Sequence, residues 1–187
     1  MSVAGRLIAF AAFAVVAGCA TSPAPAPAAS NPLAAAEAII DAFYSFDPAR
    51  LRTAMADAPQ SVPEIVYYQG WAEGGNYKVL DRQPCRTVSA AGIACSIKVR
   101  DDLIQTLGTG YDVTDTFHLT LADGKIVKLS TSSDDPPAMS DAFKWLKGQH
   151  PEIWTTGPCR GFFAGGPTPQ DCVRAIVKGF AEYRTKP

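Results

Sequence analysis

The stretch TDTFHLTLADGKIVKL, residues 114–129, decides the fold that the sequence predicts. Phe117, Leu119 and Leu121 alternate with threonine and histidine, a period of two that is typical of a strand with one buried face. The letters ADGK then supply Asp-Gly turn chemistry, and the run IVKLSTSS (126–133) returns as the antiparallel partner. The sequence therefore predicts a β-hairpin with one apolar and one polar face.

A second hairpin is predicted immediately upstream. The runs YKVLDRQPCRTVS (77–89) and GIACSIKVR (92–100) both read as strands, and the letters SAAG between them are typical of a turn. A short helical turn in DDLIQTLG (101–108) separates the two hairpins. Four antiparallel strands are thereby predicted.

Three helices are predicted before the sheet. Asn31 and Asp47 are typical N-cap residues, and the proline that follows each suits the first helical position. The third and most aromatic helix starts at Ser61, which is spaced from Glu64 like a capping box. It ends at the Gly74-Gly75 pair.

Two more helices are predicted after the sheet. One lies in DDPPAMSDAFKWLKGQHPEIW (134–154), and the other begins at Thr168 and runs towards the end of the chain. We describe residues 136–187 as a C-terminal helical extension.

The order of these elements resembles the nuclear transport factor 2-like superfamily, also called SnoaL-like. The resemblance is carried by AIIDAFYSFDPARLRTAM (38–55), by YYQGWAEGGNYKVL (67–80) and by the hairpin at 114–129, and it covers about residues 33–133. It implies an α+β fold in which a cone-shaped, strongly curved antiparallel sheet packs against the N-terminal helices. We expect this domain over residues 33–135.

The start of the chain has the anatomy of an export signal. Arg6 precedes an apolar segment, and Val16-Ala17-Gly18-Cys19 resembles the bacterial lipobox. Residues 1–18 are then a lipoprotein signal peptide, and Cys19 becomes the acylated first residue of the mature protein. The alternative is an ordinary signal peptide cut after Ala20.

The segment after Cys19 is rich in proline and alanine, so we expect residues 19–32 to form an extended tether. Acylation would fix the protein to the membrane of the cell envelope without a spanning helix. Because residue 20 is Ala rather than Asp, the resemblance to Gram-negative lipoproteins favours the periplasmic face of the outer membrane.

Four cysteines remain once Cys19 is acylated, an even number for an oxidising compartment. Three pairings can be formed, and we favour Cys85 with Cys95 and Cys159 with Cys172. A three-residue loop between the first two strands would set Cys85 opposite Ile97, so the first bond needs a different register or a bulge, with Pro84 as a candidate position.

The residues that could line a ligand pocket come from the third helix and the third strand. Residues that could stack on or hydrogen-bond a ligand between sheet and helices are Tyr67, Tyr68, Trp71, Tyr111 and Asp115. Asp115 and His118 have opposite strand parity, which argues against an Asp-His dyad. No catalytic residue is carried over from enzymes of the superfamily.

The charge balance and the motifs of the chain restrict the classes of function that we expect. With 17 basic against 18 acidic residues and no basic run, nucleic acid is not an expected partner. No cofactor motif is present, and no cysteine pair has the C-x-x-C spacing of a metal site.

The leading hypothesis is a non-catalytic domain that binds a small apolar ligand or an envelope protein. One alternative is a small enzyme of the isomerase or dehydratase type that uses Asp115 or a neighbouring carboxylate. The other is an interaction module that forms a homodimer through the outer face of its sheet.

The lipid anchor is tested by the variant Cys19→Ala. Without the thiol no diacylglyceryl thioether can form, so we expect the variant in the soluble fraction and the wild-type chain with membranes. Fractionation followed by mass spectrometry of the N-terminal peptide measures both. A Cys19→Ala protein that still partitions with membranes would refute the anchor.

Overall fold

The computed structural model describes residues 31–186. The expected signal peptide, Cys19 and nearly all of the expected tether lie outside these residues. The described part is an α+β structure in which helices cover one face of a five-stranded antiparallel sheet. Within it, no helix is both long and apolar enough to cross a membrane.

Helices precede and follow the sheet. In chain order the helices of the described part are α1 (Pro32–Phe43), α2 (Pro48–Ala54), α3 (Val62–Gly74), α4 (Asp102–Thr106), α5 (Pro137–Gln149), α6 (Glu152–Thr155) and α7 (Pro169–Thr185). The strands are β1 (Lys78–Arg82), β2 (Arg86–Ser89), β3 (Gly92–Arg100), β4 (Val113–Ala122) and β5 (Lys125–Ser133). They pair in the order β1-β3-β4-β5, and β2 also pairs with β3.

The first two helices begin where local chemistry predicts. The Asn31 side chain accepts the N–H of Leu33, and Asp47 accepts the N–H groups of Ala49 and Arg50. Each cap satisfies donors that have no partner within the first helical turn.

The start of α3 differs from the prediction of a capping box. Ser61 makes no cap hydrogen bond, and its Oγ instead accepts the backbone N–H of Leu129 at 2.9 Å. Leu129 lies on β5, which is an edge strand and therefore has backbone groups without a strand partner. Ser61 thus ties α3 to the edge of the sheet.

The predicted first strand is divided into β1 and β2. Both pair with β3, and the connection from β2 to β3 has two residues, since Ser89 lies opposite Gly92. The register shifts by one between Thr87 and Ser89, which makes a bulge at Val88 rather than at Pro84.

Because of this shift Arg86 lies opposite Ala94, and Cys85 comes next to Cys95 with their Cα atoms 4.3 Å apart. The structure contains the Cys85–Cys95 disulfide and also the Cys159–Cys172 disulfide.

The two faces of the sheet differ in chemistry. We call the face that packs against α1 and α3 the inner face. It carries Ile93, Ile97, Phe117 and Leu129, all of which are buried. The opposite face is polar and carries exposed His118, whose Nε2 lies 2.8 Å from the Ser132 hydroxyl.

The last helix joins the C-terminal extension to the rest of the domain. Helix α7 contacts α3, α4 and α5. It approaches α5 so closely at Gly179 that a Cβ there would lie 2.2 Å from Leu146 Cδ1. Cys172 and Phe180 of α7 are fully buried, so the extension shares the core of the domain.

The Cys159–Cys172 bond should stabilise the connection between α6 and α7. The two residues are 13 apart in sequence, and a closed loop of that size contributes about 3 kcal/mol on the chain-entropy model. We expect Cys159→Ala/Cys172→Ala to lower the free energy of unfolding by about that amount in urea titrations. The control Cys19→Ala leaves both disulfides in place and should not change it. Equal unfolding midpoints for the double variant and the wild type would contradict this role.

Candidate functional site

The inner face of the sheet carries one carboxylate, Asp115, at a position that is otherwise apolar. Asp115 lies on β4 opposite Ile97 of β3 and Ser133 of β5, and its side chain is 0% exposed. It follows Val113 and precedes Phe117 on the same side of the strand, since alternate residues share a face. An acidic group is therefore enclosed in the core.

Only one oxygen of Asp115 has a hydrogen-bond partner in the described structure. The Ser133 hydroxyl donates to Oδ1, whereas Oδ2 is buried and has no partner among residues 31–186. Burial raises the pKa of Asp115 from 3.8 to about 6, while the hydroxyls of Ser133 and Tyr68 act in the opposite direction.

Tyr44, which directly follows α1, supplies a second unpaired polar atom. Its hydroxyl is buried and has no hydrogen-bond partner in the described part of the chain. Burial, followed by the charge of Asp115, holds the pKa of Tyr44 far above its usual range, and the nearby Arg82 lowers it. A hydrogen-bonding interaction with Asp115 also raises the pKa of Tyr44, although the two groups fall outside strict hydrogen-bond geometry.

Two further tyrosines surround the same region. Tyr68 of α3 and Tyr77, which precedes β1, have rings 6.3 Å apart in an edge-to-face arrangement. Burial first, and then neighbouring groups that include Asp115, raise the pKa of both hydroxyls well above the ordinary value. Both side chains therefore stay protonated and can donate hydrogen bonds at neutral pH.

Asp101 is a second buried acid, and its carboxylate is already used. Its Oδ1 accepts the N–H of Ile104 at 3.0 Å, which caps α4. Burial raises its pKa to about 6, although backbone N–H groups of α4 oppose the shift. Asp101 has no buried oxygen without a partner in the described structure, and this distinguishes it from Asp115, whose Oδ2 is unpaired there.

Helix α1 is held against the site by two polar side chains. Gln69 of α3 is buried and donates to the carbonyl oxygens of Ala42 and Phe43, the last residues of α1, at 3.0 and 2.9 Å. Arg82 of β1 forms ion pairs with Glu37 and Asp41 of the same helix. These contacts fix the end of α1 and hence the position of Tyr44.

Two consecutive phenylalanines close the aromatic end of the site. Phe163 lies 5.1 Å from Tyr67, 5.9 Å from Tyr68 and 5.5 Å from Trp71, measured between ring centroids. Phe162 lies 5.3 Å from Trp71. We call Phe162 and Phe163 the phenylalanine plug.

The backbone of the plug is unusual. Phe163 has a φ of 52°, in the left-handed region that a bulky side chain rarely adopts, and it lies between Gly161 and Gly165, both with positive φ. The Cys159–Cys172 disulfide closes the loop that holds it. A strained backbone conformation persists only where surrounding contacts hold it. The contacts that Phe163 makes are with the aromatic rings of α3.

A groove lies on the outer side of the plug. Its volume is about 360 Å³, and Phe162, Phe143, Met139 and Asp135 are among its lining residues. Phe162 lines this groove and also contacts Trp71 and Phe163, so it connects the groove with the aromatic side chains of α3.

Of the five residues that the sequence suggests for a pocket, four come together. Tyr67, Tyr68 and Trp71 surround Phe163, and Asp115 lies beside Tyr68. Tyr111 does not join them, because it lies in the loop before β4 with 38% of its surface exposed.

The sequence analysis did not predict four residues of the site, namely Tyr44, Tyr77, Phe162 and Phe163. A signal existed for the last two, since two adjacent phenylalanines between glycines and cysteines have no obvious role in an exposed loop.

The chemistry available at the site is hydrogen bonding and proton transfer. Asp115 can accept a hydrogen bond or a proton, and the tyrosines can donate. Within residues 31–186, no three His, Cys, Asp or Glu side chains come together as metal ligands.

No protein-family model matches the chain, and comparisons with characterised proteins and with solved structures give no match.

The buried carboxylate should leave a signature in the pH dependence of stability. Because the pKa of Asp115 is about 6 in the folded state and 3.8 ordinarily, folding favours the protonated form. The protonated Asp115 side chain therefore contributes to the free energy of unfolding. This contribution is fully present below pH 3.8, the ordinary pKa, and is lost as the pH rises through about 6. Two pKa units correspond to about 3 kcal/mol.

We therefore expect the wild type to lose about 3 kcal/mol of unfolding free energy relative to Asp115→Asn between pH 3 and pH 7. Urea titrations monitored by tryptophan fluorescence at several pH values measure this difference. Asp123→Asn, at the exposed β4–β5 turn, is the matched control and should follow the wild type. A difference between wild type and Asp115→Asn that does not change with pH would contradict the burial of a titrating Asp115.

Proposed function

We propose that the protein is a lipoprotein of the cell envelope, anchored through Cys19, whose domain binds a small and mostly apolar ligand between the sheet and α3. The lipobox resemblance at residues 16–19 supports the anchor, and the two disulfides are compatible with an oxidising compartment. By the lipoprotein resemblance, its location is the periplasmic face of the outer membrane in a Gram-negative cell.

We also propose that the fold is the cone of the nuclear transport factor 2-like superfamily. The support is the α+β architecture, with three helices before an antiparallel sheet and α1 packed on its inner face. In this proposal the C-terminal helices close the open end of the cone through the phenylalanine plug.

One observation carries the binding proposal, namely the unpaired Asp115 Oδ2 beside the unpaired Tyr44 hydroxyl. Leaving a buried polar atom without a partner costs about 1–3 kcal/mol, and more if it is charged. A ligand that donates a hydrogen bond to Oδ2 would remove this cost. We therefore propose a ligand with one donor group, a hydroxyl or an amine, on an apolar body.

The apolar body of the ligand would contact the aromatic wall. Phe43 and Phe117 pack edge to face with ring centroids 4.9 Å apart, and Tyr68 lies 5.1 Å from Phe43. Aromatic and aliphatic surfaces of this kind bury apolar ligands with little loss of side-chain freedom. Displacement of Phe162 and Phe163 would admit the ligand from the outer groove.

Retention of the ligand tests the proposal. Protein purified in mild detergent from its own membranes, without denaturation, should release a small molecule in stoichiometric amount on organic extraction. Asp115→Asn should retain several-fold less, because the amide replaces an anionic acceptor and contributes a weaker hydrogen bond. Mass spectrometry of the extract measures both.

Asp123→Asn is the control for expression and purification and should retain as much as the wild type. If the Asp115→Asn extract equals the wild-type extract, Asp115 does not hold the ligand. If the wild-type protein releases nothing, the binding proposal fails.

A second candidate function is an enzyme of the isomerase or dehydratase type, and the pKa of about 6 at Asp115 favours it. A carboxylate with such a pKa can take a proton from carbon near neutral pH and return it. Incubating the retained molecule with the protein in D₂O separates the two functions. An enzyme would introduce deuterium at a carbon atom and Asp115→Asn would not, whereas a binding protein would leave carbon unlabelled.

The third candidate is an interaction module that dimerises through the outer face of the sheet. That face is rich in hydroxyl groups, as the Ser96–Thr116 contact and the His118–Ser132 contact illustrate. Interfaces of stable homodimers are usually more apolar than this. Binding inside the fold is therefore the proposal that we favour.

A further inference from the structure

A second groove follows α3 on its outer side and shares Tyr67, but not Asp115, with the interior site. Its volume is about 490 Å³, and it is lined by Val62, Val66, Gly70 and Glu73 of α3, which are three or four positions apart and so share one side of the helix. From Val62 to Glu73 the helix rises roughly 16 Å. The groove is therefore long enough for an extended molecule.

The walls of this groove are mainly apolar and rigid. Phe46 and Pro48 line it beside α2, and Pro167 and Pro169 line it beside the start of α7. Proline side chains have little conformational freedom to lose when a ligand covers them. The walls suit the apolar part of a ligand.

Two polar groups in the groove are available for a ligand. Tyr67 is 3% exposed, and its hydroxyl has no hydrogen-bond partner among residues 31–186, although the backbone of Phe163 lies beside it. Arg52 of α2 is exposed and makes no ion pair within the described part of the chain. Its one polar contact there is with the carbonyl oxygen of Pro48 at 3.4 Å.

The acidic residue of the groove, Glu73, has a hydrogen-bond partner but keeps its negative charge. Glu73 Oε2 accepts a hydrogen bond from Gln170 Nε2 at 2.9 Å. Gln69 also lines the groove, and its Nε2 is occupied by two carbonyl oxygens of α1. Because the Gln170 amide is neutral, the groove keeps one charge of each sign, and Arg52 is the charged group without a side-chain partner among residues 31–186. Arg52 and the Tyr67 hydroxyl together offer hydrogen-bond donors to an anionic group.

We propose that this groove binds a linear aliphatic carboxylate. Its carboxylate interacts with the Arg52 guanidinium and the Tyr67 hydroxyl, and its hydrocarbon chain lies along Val62 and Val66. Guanidinium groups match the two oxygens of a carboxylate better than any other side chain. This site does not depend on the interior site at Asp115.

Calorimetric titration of the full-length protein in phosphatidylcholine nanodiscs tests the ligand class, with empty nanodiscs as the blank. We expect saturable binding of octanoate and at least tenfold weaker binding of octanol and octylammonium. Decanoate should bind roughly tenfold more tightly than octanoate, since two methylenes are added to the buried chain. Binding of octylammonium as tight as that of octanoate would overturn the charge assignment.

Three substitutions test the location. Arg52→Gln should weaken octanoate binding about tenfold, and Tyr67→Phe should weaken it several-fold. Arg50→Gln is the matched control, because Arg50 is also exposed on α2 but does not line the groove, and it should bind like the wild type. Equal losses for Arg50→Gln and Arg52→Gln would overturn the proposal.

Asp115→Asn separates this groove from the interior site. It should leave octanoate affinity unchanged, because Asp115 does not line the groove. If Asp115→Asn abolishes octanoate binding while Arg52→Gln does not affect it, the carboxylate binds in the interior and the groove is not its site.

Discussion

The rest of the structure depends on the packing of Phe163 against the aromatic side chains of α3. The inner face of the sheet is covered by α1 and α3, and the phenylalanine plug completes this cover where Tyr67, Tyr68 and Trp71 meet. The plug is held in an unfavourable backbone conformation by these rings and by the Cys159–Cys172 loop. Tyr68 connects the plug to the buried acid, because its ring contacts Phe163 and Phe117 and its hydroxyl interacts with Asp115.

A buried carboxylate with an unpaired oxygen is not explained by stability. Burial penalises the charged form of Asp115, and an apolar residue at the same position of β4 would extend the row formed by Val113, Phe117 and Leu119. Asp101 is equally buried but caps α4, so its cost is offset by a helix terminus. Asp115 caps no helix, and its Oδ2 has no partner among residues 31–186. This contrast is the reason for assigning function to Asp115 rather than to Asp101. Tyr44 strengthens the assignment, because it brings a second unpaired polar atom to the same region.

Features fixed by neighbouring residues could be predicted from the sequence, and features fixed by distant contacts could not. The caps at Asn31 and Asp47 and the Asp-Gly turn between β4 and β5 involve residues close in sequence, so their chemistry is visible in a short window. The bulge at Val88 is not visible there, although it decides that Cys85 meets Cys95. The partner of Ser61 is 68 residues away on β5, which is why a capping box was the wrong prediction. The site follows the same rule: Tyr67, Tyr68 and Trp71 share one helix and were found together, whereas Tyr44, Tyr77 and Phe163 reach it from separate parts of the chain.

The central claim is that Asp115 Oδ2 binds a ligand inside the fold. A crystal structure of protein purified from its own membranes without denaturation, at a resolution that defines individual bound atoms, tests this most directly. The proposal predicts continuous electron density for an organic molecule between Phe163 and Asp115, with a donor atom within hydrogen-bond distance of Oδ2. An interior without such density, in which the Tyr44 hydroxyl or an ordered water alone satisfies Oδ2, would contradict it.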